Sequence, residues 1–253
     1  MVLKVQDMHE TTFQSGRPLL RIGSITFLTG LTIFIISSAF HPSIIENPTN
    51  QLHVFAEYAK SLPWIAAHIG QFVGGIIIFA GGFVALSRLL VRSASMTVSV
   101  LAWIGFAITI IAASTLSILQ AVDGIALKRA VDSWIVAPAG EKAAAFRVAE
   151  GIRWTEIGIN SFYRILQGAV AMMFGIAITH SSIVGRWIGA IGIFAGAATI
   201  AAGVQVAYVG FADVNVGLGL WAKVIYYIWI GILGAFMLRK TSFEITRQPT
   251  AVS

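Results

Sequence analysis

Trp187 to Phe211 reads WIGAIGIFAGAATIAAGVQVAYVGF, 25 residues without a single charge. As a helix rising about 1.5 Å per residue it is longer than the roughly 30 Å hydrocarbon core of a bilayer. A membrane β-strand would instead alternate apolar and polar residues in segments of about ten, and this run does not alternate. A helix also satisfies every backbone polar group within the span, which lipid requires. Gly185, Gly189, Gly192, Gly196 and Gly203 recur at spacings that place all five on one helical stripe. Such small-residue stripes let helix backbones approach closely in lipid.

Five more segments pass the same length test on either side of this one. They are Ile22 to Phe40, Ile65 to Ser87, Ala94 to Gln120, Ile157 to Thr179 and Leu218 to Leu238. Arg88 and Arg92 close the second, Arg164 sits near one end of the fourth, and Lys223 sits near the corresponding end of the sixth. The reading is an all-α, polytopic transmembrane helix bundle of six spans, one domain over residues 1–253. The chain is 57% hydrophobic and 11% charged, whereas soluble domains are about a quarter charged. A soluble globular fold is therefore excluded. Its net charge of +6 does not point to nucleic acid, because the bases flank apolar spans, where anionic headgroups are the natural counterions. With no cysteine there is no disulfide, thiolate metal site or cysteine nucleophile.

The charges divide unequally between the two sides. Counting from an inner N-terminus, the inner side collects nine bases, including Arg17, Arg21, Arg88, Arg92, Arg186, Arg239 and Lys240, against three acids. The outer side collects eight bases and eight acids, which cancel. Because loop Lys and Arg set orientation, both termini are expected in the cytoplasm of a multi-pass cell-membrane protein. Ser37-Ser38-Ala39 gives the first run a faint look of a signal peptide, but the run is too long for that core and is read as a retained span.

The longest outer connection, Ala121 to Glu156, reads as two amphipathic helices broken at Ala137-Pro138-Ala139-Gly140. Ile125, Val131, Trp134 and Ile135 suggest one apolar stripe; Phe146, Val148, Ala149 and Ile152 suggest another. The expectation is an outer helical hairpin continuing spans three and four. Glu150, Arg153 and Glu156 are spaced to pair along one exposed face. Trp103-Ile104-Gly105 and Trp187-Ile188-Gly189 hint at a parallel repeat of the kind that places transporter sites at repeat interfaces.

Polar residues inside spans are costly, and here nearly all fall in the outer third. They are His68 and Gln71, Gln120 and Asp123, Asn160, Arg164 and Gln167, Gln205 and Asp213, Lys223 and Tyr226. Antiparallel alternation brings them to one depth, as an outward-facing polar pocket. Arg164 and Lys223 are the expected anchors for a small polar solute or ion, with Asp123, Glu156 and Asp213 as their possible acidic partners and Gln71, Gln167 and His68 beside them. Structural pairing of the helix ends, or snorkelling to the interface, is the alternative. His41, His53 and His68 with Glu46 and Glu57 offer metal-ligand chemistry, but their separations fit no ligand motif, so no metal and no cofactor is expected. Haem ligation, a retinal lysine, the serine-hydrolase elbow, phosphate loops and zinc-protease motifs are all missing, so catalysis is not the expected role.

His41-Pro42, Phe55-x-Glu57-Tyr58-Ala59, Trp64-x-x-x-His68 and Gln71-Phe72, with Asp123-Gly124-x-Ala126-Leu127-Lys128 and Glu150-x-x-Arg153-Trp154-x-Glu156, form a distinctive series. Over residues 40–167 the chain resembles a group of uncharacterised prokaryotic multi-span membrane proteins that carry a domain of unknown function. The resemblance implies a prokaryotic cell membrane and a polytopic helical fold, and it brings no catalytic residue. Two roles remain open: solute binding or transport at the pocket, or an accessory or scaffold subunit docking other membrane proteins, or itself, through its Gly-rich faces. In either role the lipid bilayer is the surrounding partner.

Overall fold

The computed structural model describes residues 17–41, 48–92, 95–211 and 215–245. Apart from short turns, these are helical: α1 Arg17–Ala39, α2 Gln51–Lys60, α3 Trp64–Val91, α4 Met96–Val136, α5 Lys142–Thr179, α6 Arg186–Val209 and α7 Asn215–Ile245. All but α2 contain a stretch long and apolar enough to cross a bilayer, six in total. The chain is a multi-pass helical membrane protein. Its outer surface agrees, since Ile35, Ile36, Ile110, Ile111 and Phe194 stand exposed along the spans, where lipid rather than water is their natural solvent.

The six spans close into a ring in the order α1, α3, α4, α5, α6, α7 and back to α1. Glycine sets the tightest seams. A Cβ at Gly196 would stand 2.5 Å from the Gly168 carbonyl oxygen, one at Gly189 2.6 Å from that of Gly175, and one at Gly203 2.9 Å from that of Ser161. The stripe on α6 is thus spent largely on α5. Gly192 faces Trp229 on α7 instead, and Gly185 lies at the start of α6 beside Trp187, so the five glycines serve more than one neighbour. On α3, Gly70, Gly74 and Gly81 meet Ser37, Gly30 and Thr26 of α1.

The middle of the ring is filled by aromatic side chains. Phe83 packs 5.1 Å from both Phe27 and Phe174, and 6.0 Å from Trp229, measured between ring centroids. Trp229, deep in its span, donates its indole N–H to the Ile188 carbonyl at 2.9 Å, which removes the cost of burying that group. Ile77–Phe83 of α3 is a π segment, and its Gly81 and Gly82 lie against Thr26 and Phe27.

α4 and α5 run on past the bilayer as the expected hairpin. With 38 residues, α5 is about 57 Å long at the helical rise, nearly twice the hydrocarbon thickness. The break falls between Val136 and Lys142, at the Pro138-containing turn. The inward stripe differs in part from the expected one. Val131, Trp134 and Ala149 are buried, with Phe146 and Ile152 packed beside them, but Ile125, Ile135 and Val148 face outward and Leu127 takes a core position. On α4 a second π segment, Val122–Leu127, is the reason: its wider turn rotates the residues after it relative to an unbroken α-helix.

α2 occupies a stretch that the apolar pattern leaves as an outer loop. Its Val54, Phe55 and Tyr58 complete a second hydrophobic cluster with Trp64 and the hairpin. Buried Lys128 fastens it by donating to the Ala59 carbonyl at 3.3 Å while pairing with Asp132 at 2.5 Å. Half-buried Glu57 on α2 is held below the ordinary carboxylate range by its hydrogen bond from Lys60 at 2.7 Å.

Candidate functional site

At the hairpin end of the ring lies a cavity of about 500 Å³ to which all six spans contribute. α5 supplies most of the polar wall, because Glu156, Asn160, Tyr163, Arg164 and Gln167 follow the three-and-four spacing of one helical face. Ser38 comes from α1, Gln71 from α3, Gln120 and Asp123 from α4, Thr199 from α6 and Lys223 from α7, while Tyr227 lies one turn deeper on α7. Beyond Tyr163 stands the aromatic layer, with Phe79 at 6.4 Å.

Six of the residues expected at the site, Arg164, Lys223, Gln71, Gln167, Glu156 and Asp123, line this cavity together. His68 stands just behind the wall, its Nε2 3.1 Å from Asp123 Oδ2. Gln205 and Tyr226 are not on the wall, whereas Tyr163 is; its place between Asn160 and Gln167 on one stripe is the signal that would have found it. Asp213 and Glu46 fall outside the described residues.

Among the described residues, Asp123 lies against His68 and Glu156 against Arg153. Glu156 accepts from Arg153 at 2.8 Å, and both side chains are only 1% exposed. Asn160 links this pair to the cavity: its amide approaches Glu156 at 3.5 Å, and its carbonyl accepts from Arg164 Nε at 2.7 Å. Asn160 thus helps to orient Arg164 and links it to the Arg153–Glu156 pair. Its guanidinium also lies 5.7 Å from the Phe211 ring centroid, with that of Arg153 at 4.9 Å from the same ring, within the range of cation–π attraction. The spacing of Glu150, Arg153 and Glu156 gave no sign that Arg153 is buried. Burial comes from Tyr58 on α2 and from Phe211, residues remote in the chain.

His41, His68 and Asp123 are drawn together as well. One ligand-type atom from each lies within 4.8 Å of the others. His53 and Glu57 are not in this group. Gly124 makes the approach possible, since a Cβ there would collide with that of His68. Trp64 ties the two elements by donating to the Asp123 backbone carbonyl at 3.1 Å. Gln120 Oε1 and Asp123 Oδ1 are buried with no hydrogen-bond partner among the described residues. Buried polar atoms are nearly always satisfied, so atoms of this kind on a cavity wall call for a ligand or ordered water.

No protein-family model, curated protein or solved structure matches the chain. The chemistry of the site rests on its own residues.

Proposed function

We propose that this membrane protein binds a small anionic or strongly polar solute in the cavity, with Arg164 and Lys223 as its anchors, and that the cavity opens to the outer side. The observation that carries this reading is the convergence of polar side chains from all six spans on one cavity. Packing alone would be served better by apolar residues, because polar groups in a span cost free energy unless they are used. The volume of about 500 Å³ suits a small organic ion rather than a macromolecule. The outward orientation is supported by the excess of Lys and Arg on the opposite side. Binding is the core of the proposal; transport would further require the aromatic layer around Phe83 to open.

The competing role, an accessory subunit docking through its Gly-rich faces, draws less support because Gly189, Gly196 and Gly203, like Gly70, Gly74 and Gly81, are occupied within the bundle. The test is thermal unfolding of the purified chain with phosphate, sulfate or succinate as probe. At about 100 times its dissociation constant a bound probe stabilises by about 2.7 kcal/mol. Arg164→Gln and Lys223→Gln are each expected to diminish that gain. If none of the three anions stabilises the protein, or the gain survives in both variants, the reading falls.

A further inference from the structure

We propose that His41, His68 and Asp123 form a binding site for one divalent transition-metal ion of the zinc class, with at least one coordination position open to the cavity. The argument begins at His68. Its Nδ1 lies 2.8 Å from the Trp64 carbonyl oxygen. That oxygen can only accept, so Nδ1 carries a proton and donates. Nε2 then faces Asp123 Oδ2 at 3.1 Å. In the neutral ring this sets a lone pair against a carboxylate, an arrangement that needs a positive centre between or beside the two atoms.

A metal ion is that centre on three grounds. First, the backbone carbonyl holding Nδ1–H is the outer-shell partner that metal-bound histidines use to fix ring orientation while Nε2 ligates. Second, ligand atoms each about 2.1 Å from an ion stand roughly 3.0–3.4 Å apart, and the His68–Asp123 separation of 3.1 Å already matches. Third, a further donor is close by: His41, just beyond α1, has a ligand-type atom within 4.8 Å of the other two and its ring centroid 5.3 Å from that of His68, so a short approach of its side chain completes the set. A second imidazole adds nothing to a simple His–Asp charge pair, but it completes a metal triad. The ion would also satisfy Asp123 Oδ1, which lacks a hydrogen-bond partner among the described residues.

Two imidazoles with one carboxylate favour zinc, copper, iron or nickel over magnesium or calcium, which prefer oxygen alone. Three protein donors meet here among the described residues, leaving at least one position for water or another ligand. That position points into the cavity, because His41 and Asp123 are on its wall while His68 is behind it.

The test uses the full chain in detergent, stripped with a strong chelator and then titrated with zinc or cobalt. One equivalent of zinc per chain is expected by elemental analysis, with visible ligand-field bands for cobalt. His41→Ala and Asp123→Asn are each expected to weaken zinc binding by at least about 100-fold, the upper end of what losing an outer-shell partner costs. His41→Ala also removes a ring packed on Trp64, so a retained thermal transition in each variant is required to certify the fold. Arg164→Gln combined with Lys223→Gln should leave zinc stoichiometry unchanged, which separates this site from the solute reading. Absence of stoichiometric metal in the folded wild type, or binding that both ligand variants retain, overturns the proposal.

Discussion

Arg153 and Arg164 lie three helical turns apart on α5 and approach the same Phe211 ring, yet their roles differ. Arg153 is sealed from solvent with Glu156, so removing it takes the guanidinium away from a buried carboxylate. Arg153→Met is expected to destabilise the protein by about 3–5 kcal/mol, while Arg153→Met with Glu156→Met recovers most of the loss. Thermal unfolding of the three proteins checks this; equal loss in the single and double variants would show that the charge pair is not the cause. Arg164 depends on space beside it, because a Cβ at Gly219 would stand 3.0 Å from its Nη1. Gly219→Ala should therefore weaken anion binding several-fold while leaving the melting temperature unchanged or slightly raised, since alanine favours the helix. Unaltered binding in that variant would argue against Arg164 as an anchor.

Helix by helix, the small residues give a sharper comparison. Gly196→Val drives side-chain atoms into the Gly168 backbone and should cost about 1–3 kcal/mol or more, because neither backbone can retreat from the seam. Gly151 and Gly158 on α5 have nothing within 4 Å of an added Cβ, so Gly151→Ala and Gly158→Ala should stabilise by up to about 1 kcal/mol. Unfolding in detergent reads both outcomes, and similar effects at all three positions would contradict the packing described. The spans and the hairpin were legible because continuous apolarity, Pro138 and the flanking charges are local signals. α2 was not, since its Val54, Phe55 and Tyr58 are few and become a core only against Trp64 and Trp134. The same limit applies to the site. Polar residues near span ends were readable one by one, whereas the His41–His68–Asp123 cluster depends on a π segment and on Gly124 admitting His68, neither of which has a reliable spacing signature. The Arg153–Glu156 pair shows the same limit: helix periodicity places Glu156 and Asn160 on the face of Arg164, but does not say that Arg153 also reaches the carboxylate.

Across the whole molecule, the absence of cysteine makes orientation directly measurable. Gly140→Cys at the hairpin turn should react with a membrane-impermeant maleimide on intact cells, and Ser253→Cys only after the membrane is permeabilised; the reverse pattern would invert the proposed topology. The closed ring and its aromatic centre carry an electrical consequence. If the cavity opens to the outer side as proposed, water in it would bring the potential of that side down to Tyr163 and Tyr227, and a membrane voltage would fall mainly across Phe83, Phe174 and Trp229. An ion entering the cavity then does little work against the field. One carried past that layer does nearly all of it, about 2.3 kcal/mol per elementary charge for each 100 mV. On that proposal the aromatic centre would be the insulator of this protein, and occupancy of the cavity should be almost indifferent to voltage.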